Sequence, residues 1–270
     1  MIKPKLTLCD IDGTLLNSKH ELLPEVIKAI RQYEKSEGIF CLASARPAKG
    51  MIFLADKIGL TVPLATLNGA YIIDPSENNK VLFQKPILKD SVKQIIQLIK
   101  ANHLNISINC YAGLNWYIEK PNEWSSQESL IINFEPEIAD LDQTYNQKEI
   151  HKILCMGKPE EISELNTLIA KNPQLQIIAA RSKTTYLEIT DHEVSKVSAL
   201  KHLANYFKIS LDKTMSIGDG DNDLEMIKAA GTGIALANAS KKVLQTADFI
   251  IDDNDHAGVA DALQKHTFSH

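Results

Sequence analysis

Leu6-Thr7-Leu8-Cys9-Asp10-Ile11-Asp12-Gly13-Thr14 decides the fold. The stretch opens as a short buried-strand candidate, Leu6 to Cys9, and stops abruptly at two carboxylates and a glycine turn. The same texture returns downstream. Glu25 to Glu37 places Val26, Ile27, Ile30 and Tyr33 at helical spacing, with Gly38 as a stop, and Ile39 to Ala43 reads as the next strand. Ala48 to Ile58 is a helix closed by Gly59, and Pro63 to Thr66 is a third strand before Asn68-Gly69. Strands alternating with helices predict parallel strands joined by crossover helices.

The rhythm resumes near the C-terminus. Lys196 to Phe207 is helical, Thr214 to Ile217 is a strand, and Gly218-Asp219-Gly220 follows it. Asp221 to Ala230 reads as a helix, Gly233 to Leu236 and Phe249 to Ile251 as short strands, and Ala257 to Gln264 as the last helix. The middle differs. It mixes a helix at Ser91 to Ala101, paired strands around Gly113, and a strand-helix-strand-strand run from Ile150 to Ile189. The expected architecture is α/β: a Rossmann-like parallel-sheet core from residues 1–84 and 191–270, interrupted by an α+β cap over 85–190.

Bulk composition narrows the setting. Of 270 residues, 44% are hydrophobic and 23% charged, which suits a soluble globular chain. Twenty-nine basic against 34 acidic residues give a net charge of −5, so nothing electrostatic recommends nucleic acid as a partner. No stretch approaches the ~18 apolar residues of a membrane span, and the N-terminal apolar run is too short for a signal peptide. A cytoplasmic monomer or small homo-oligomer is expected. Cys9, Cys41, Cys110 and Cys155 are scattered, without metal or disulfide spacing; Cys9 and Cys41 lie in apolar runs and read as core thiols.

Two acidic clusters carry the chemistry. Asp10 and Asp12 follow the first strand, where the carboxyl edge of an open parallel sheet forms a ligand crevice. One carboxylate there can attack an electrophile while the other trades protons with a leaving group; a surface Asp-Gly turn is the plainer alternative. Gly218-Asp219-Gly220-Asp221-Asn222-Asp223 also follows a strand, and its oxygens suit a hard cation such as Mg²⁺. A calcium loop fails for want of its terminal glutamate, because Leu224-Glu225-Met226-Ile227 begins a helix. A helix-capping turn with Asp221 as N-cap is compatible with metal binding by Asp219 and Asp223. Ser44-Ala45-Arg46 combines a hydroxyl with strand-end backbone N–H groups that can hold a phosphate oxygen, or serves as a plain helix cap. Lys196 sits at a helix start, where the macrodipole disfavours a cation, which hints at a partner elsewhere, although a solvated lysine is the plainer reading of any single lysine.

In this order, DxDGT, a strand-end serine, a lysine and GDxxND, the signals resemble the haloacid dehalogenase superfamily, and within it the Cof-type phosphatases with a large α/β cap. The resemblance spans essentially the whole chain. It implies that Asp10 is a nucleophile forming an aspartyl phosphate. Asp12 would act as acid and then base, with its carbonyl on Mg²⁺. Ser44 would hold the phosphoryl group, Lys196 would neutralise Asp10 and phosphate, and Asp10, Asp219 and Asp223 would bind metal, the last directly or through water. Asn222, Ala45 and the Asn68-Gly69-Ala70 segment would line the phosphate pocket. The expected activity is Mg²⁺-dependent hydrolysis of small phosphorylated metabolites, sugar or cofactor phosphates. A phosphomutase and a non-catalytic phospho-ligand-binding relative are the alternatives. Ala45, Val197 and Ala237 each stand where the family often has glycine. Tyr111, Trp116, Tyr117 and Trp124 of the cap read as core, and His192 as a solvated loop histidine.

Overall fold

The protein is described by a computed structural model over residues 3–267. Along the chain run β1 (Leu6–Cys9), α1 (Pro24–Lys35), β2 (Ile39–Ala43), α2 (Ala48–Ile58), β3 (Leu64–Thr66), β4 (Tyr71–Asp74) and β5 (Lys80–Gln84). Then come α3 (Lys89–Ala101), β6 (Ser107–Ala112), β7 (Asn115–Ile118), α4 (Glu123–Ile132), β8 (Glu137–Ile138), α5 (Leu141–Gln147), β9 (Lys152–Met156) and α6 (Pro159–Ala170). The last part holds β10 (Ile177–Lys183), β11 (Tyr186–Asp191), α7 (Lys196–Tyr206), β12 (Thr214–Gly218), α8 (Leu224–Ala229), β13 (Thr232–Leu236), α9 (Lys241–Thr246), β14 (Phe249–Ile251) and α10 (Gly258–Thr267).

The chain divides into two units, one of residues 3–45, 52–82 and 195–267, the other of 46–51 and 83–194. The first is built on the sheet β14-β13-β12-β1-β2-β3-β4-β5. Its strands from β14 to β3 pair in parallel, and β4 runs antiparallel to β3. Every residue of β1, β12 and β13 is buried, the mark of strands covered on both faces. Helix α1 starts with Pro24, whose missing N–H is no loss in the first turn, and buries Val26, Ala29, Ile30 and Tyr33.

The second unit carries the sheet β10-β11-β9-β6-β7-β8. Helices α3, α5 and α6 bury Ile95, Ile99, Tyr145, Ile162 and Leu165 against Cys110, Ile153, Cys155, Leu187 and Ile189 on one face of it. Alternation puts Tyr111, Lys152 and Glu188 on the other face. There Lys152 Nζ pairs with Glu188 at 3.0 Å and lies 5.5 Å from the centre of the Tyr111 ring, which stacks on Trp116. Tyr111, Trp116 and Tyr117 are core residues, as are all four cysteines, whose thiols are free. His192 is half exposed.

A buried histidine is wired into this unit. His151, 2% exposed, accepts the Gly113 N–H at Nδ1 (3.1 Å) and faces Gln84 Oε1 through Nε2 (3.2 Å). Gln84 donates its own Nε2–H to Glu149 (2.9 Å), which fixes the amide. The assigned tautomer is therefore the neutral Nε2–H form; a second ring proton would meet the Gly113 N–H head-on. Burial lowers the His151 pKa to about 4.

Helices α4 and α5 escaped the sequence reading. Leu130 and Ile131 of α4 are exposed, so its apolar residues make no clean stripe, and its start is set by a capping box between Asn122 and Ser125. Helix α5 is a seven-residue segment capped by Asp140. The Asp221–Ala230 expectation is corrected as well: a 3₁₀ turn spans Asp221–Asp223, with Gly220 rather than Asp221 at its N-cap, and α8 begins at Leu224. No helix among the described residues is long and apolar enough to cross a membrane.

Candidate active site

Parallel pairing lines up strand ends that are remote in sequence. Asp10 leaves β1 with its N–H bonded to Ile217 O of β12 (3.0 Å), and Ser44 leaves β2 bonded to Ala65 O of β3 (3.0 Å). The Ser44 carbonyl then accepts the Asn68 N–H (2.8 Å). Leu67, Asn68 and Gly69 take positive φ in succession (53°, 60° and 96°), a strained run that asparagine and glycine tolerate best. A Cβ on Gly69 would lie 2.8 Å from the Ser195 carbonyl oxygen, so this turn backs directly onto the start of α7. Ala45 is half-buried and its backbone is not left-handed, so its methyl brings no strain.

Helix α7 begins at Lys196, behind a capping box of Ser195 and Ser198. The ammonium is 2% exposed and donates to Asp10 Oδ1 (2.5 Å) and Asp223 Oδ1 (2.6 Å). Burial works against the charged lysine, yet Asp10 and Asp223 outweigh it and hold the Lys196 pKa above its ordinary value. These two carboxylates resolve its unfavourable place at a helix N-terminus.

Asp223, fully buried, accepts at Oδ2 from the Asp219 N–H (3.1 Å) and the Gly220 N–H (2.9 Å). Asp219 accepts the Thr14 hydroxyl at Oδ1 (2.6 Å). Burial raises the Asp219 pKa to about 6, with Asp223 adding to the rise and Thr14 opposing it. Asp10 is likewise pushed up, by burial first and then by Asp223, against the pull of Lys196.

Asp10, Asp219 and Asp223 each offer a carboxylate oxygen, all within 4.8 Å of one another. Three acids crowd one buried ammonium, an excess of negative charge that a divalent cation would relieve. The donors are all oxygen, which fits a hard ion. Asp223 has both oxygens engaged by Lys196 and backbone N–H groups, which leaves Asp10 and Asp219 as the more open donors.

The predicted residues thus separate into three groups. Asp10, Lys196, Asp219 and Asp223 are bound into one network, while Ser44 and Asn68 meet at the next two strand ends through a backbone bond. Asp12 and Asn222 sit outside the buried network. The Asp12 side chain is 44% exposed, enough to meet a substrate, and lies 3.7 Å from His20 Nδ1. Asn222 is exposed, its Oδ1 packed close over Gly220. Sequence reasoning missed the Thr14 hydroxyl as a partner of Asp219 and His20 as a neighbour of Asp12. Thr14 belongs to the quoted motif, but nothing in the sequence says which acid its hydroxyl meets.

The pattern of the haloacid dehalogenase-like hydrolases matches residues 7–263. The chain belongs to this family. Its relatives include YxeH of Bacillus subtilis strain 168, which carries a provisional phosphatase name and is 31% identical over 97% of each chain. Another is 5-amino-6-(5-phospho-D-ribitylamino)uracil phosphatase YcsE of the same organism, 29% identical over 96% of this chain and 94% of that one. Among solved structures, a haloacid dehalogenase-like hydrolase from Bacteroides thetaiotaomicron superposes with a TM-score of 0.87 at 27% identity, covering 97% of this chain and 99% of its own. This haloacid dehalogenase-like hydrolase is an enzyme, and the phosphatase expectation drawn from its motifs holds.

Proposed function

We propose that this hydrolase is a Mg²⁺-dependent phosphatase of small phosphorylated metabolites, sugar or cofactor phosphates, working through an aspartyl phosphate on Asp10. The observation that carries the reading is the single buried ammonium of Lys196 shared by Asp10 and Asp223, with Asp219 beside them. A carboxylate is repelled by a phosphate dianion; the Lys196 ammonium beside Asp10 offsets part of that repulsion, and a divalent cation among the acids would offset the rest.

In the first half-reaction an Asp10 carboxylate oxygen bonds to phosphorus as the ester oxygen departs, and Asp12 gives that oxygen a proton. In the second, water attacks phosphorus, Asp12 takes the water's proton, and the bond to Asp10 breaks. The sum is ester plus water to alcohol plus phosphate. Partial exposure suits Asp12 to this exchange, as burial suits Asp10 to a fixed line of attack. Lys196 orients the nucleophile and balances its charge, Ser44 and the Asn68-Gly69 turn hold phosphate oxygens, and Asn222 adds a polar contact at the rim. Asp10, Asp219 and the Asp12 carbonyl would hold Mg²⁺, with Asp223 reaching it through water. The ion when bound supplies charge neutralisation at the phosphoryl oxygens.

The test is phosphate release from a panel of sugar phosphates, flavin mononucleotide, pyridoxal phosphate and p-nitrophenyl phosphate, with Mg²⁺ or EDTA, for the parent and Asp10→Asn. Repeated turnover that needs Mg²⁺ and vanishes in Asp10→Asn is expected. A folded, Mg²⁺-supplied parent that turns over none of them would overturn the reading.

A further inference from the structure

Asn238, in the loop after β13, is two strands away from β1 in the sheet, yet its side chain meets the loop that carries Asp10 and Asp12. Strands spaced ~4.8 Å apart put that loop roughly 10 Å from the end of β13. Asn238 Nδ2 donates to the Gly13 carbonyl at 2.8 Å. Its Oδ1 accepts the backbone N–H of Asn254 (3.2 Å), which orients the amide so that the donor faces Gly13. Asn254, 9% exposed, donates its own Nδ2–H to the Leu16 carbonyl (2.9 Å). The turn from Gly13 to Leu16 is therefore held at both ends by one relay. Two residues past Asn238, the Ser240 N–H donates to the Asp219 carbonyl (2.9 Å). A single loop thus grips both acidic loops: the one after β1 through a side chain, the one after β12 through the backbone.

We infer that Asn238, backed by Asn254, is a positioning residue that sets the separation of the Asp10 loop from the Asp219 loop, and hence the affinity of the acidic site for a divalent cation. Neither side chain reaches the reacting groups. Each fixes one main-chain carbonyl in a segment that packs directly on the Asp219 carboxylate, so closely that a Cβ at Gly13 would collide with it. Without the brace the two loops lose a common reference, and the carboxylates must be brought into register by the ion itself. This inference rests on the reading that Asp10 and Asp219 share a divalent cation.

The experiment is calorimetric Mg²⁺ titration of the parent, Asn238→Ala, Asn254→Ala, the double variant and Asp219→Asn, beside thermal melts and separate kcat and KM values. Loss of a partner that orients metal ligands costs about 10–100-fold in metal affinity or activity. Asn238→Ala is therefore expected to weaken Mg²⁺ binding about tenfold and lower kcat more than it raises KM. The double variant should bind Mg²⁺ about as weakly as either single one, because the two asparagines act as one relay. General destabilisation would lower the melting temperature and leave the affinity of the folded protein unchanged. Asn238 is exposed, so its variant decides the matter alone if Asn254→Ala fails to fold. Parental Mg²⁺ affinity and kcat in folded Asn238→Ala would overturn the inference while Asp219→Asn still loses the ion. Parental Mg²⁺ binding in Asp219→Asn would instead overturn the metal reading beneath it.

Discussion

A Cβ on Gly13 would stand 2.4 Å from Asp219 Oδ2, so the glycine of the first acidic motif and an acid of the last are packed atom against atom. Gly13 also has φ 83°, in the left-handed region that penalises side chains. Gly13→Ala is expected to displace the Asp219 carboxylate from the Thr14 hydroxyl and weaken Mg²⁺ binding at least about tenfold. The backbone strain should remove about 1–2 kcal/mol of stability. Mg²⁺ titration and urea unfolding of the same variant measure the two effects separately.

Lys196→Met leaves Asp10 and Asp223 buried without their cation. Breaking a buried pair by removing one partner costs about 3–5 kcal/mol, because an unpaired charge remains. The metal-free variant should melt well below the parent, and adding Asp223→Asn should recover part of the loss. A double-mutant cycle by urea denaturation checks this, and additive effects of the two substitutions would contradict a shared charge network.

Proton competition at Asp219 follows from its raised pKa of about 6. In the metal-free fold its carboxyl takes a proton below that pH, and a protonated carboxyl must lose it to bind a cation. Apparent Mg²⁺ affinity should fall by up to about tenfold per pH unit below 6 and level off above it. Calorimetry at pH 5.0 and pH 7.5 gives the slope; equal affinities would contradict it. The sign for folding is opposite: a pKa raised above about 3.9 means the metal-free fold gains stability from this group as pH falls through 6.

His151 acts in the other direction. Its pKa is lowered to about 4 from a usual value near 6.5, so between these limits the unfolded chain binds a proton that the fold refuses. Stability is therefore full above pH 6.5 and is lost as pH falls toward 4, by on the order of 3 kcal/mol from this residue. His151→Gln, which cannot charge, should flatten that part of the stability curve. Urea melts at pH 7.5, 5.5 and 4.5 measure it, and an unchanged slope in the variant would show that another group carries the acid sensitivity.

Much of the first unit was readable because its signals are local. An apolar run that ends in Asp10, or in Gly218-Asp219, marks a buried strand and its loop without reference to the rest of the chain. The second unit was less legible. The starts of α4 and α5 depend on side-chain caps, and the apolar residues of α4 are divided between core and solvent, so periodicity carried little information there.

The sequence by itself determined which reactive groups the chain possesses and that Asp10, Ser44 and Asp219 stand at strand ends, since hydrophobic runs and turn residues act over a few positions. The tertiary structure decided which groups share one site. Lys196 meets Asp10 across 186 residues and Thr14 meets Asp219 across 205, separations that only the strand order β13-β12-β1-β2-β3 closes. It also decided that Lys196 is charged between two acids, and that Asn238 reaches over a strand to hold Gly13. Burial, like-charge crowding and hydrogen-bond direction belong to the packed arrangement, and no local pattern of residues encodes them.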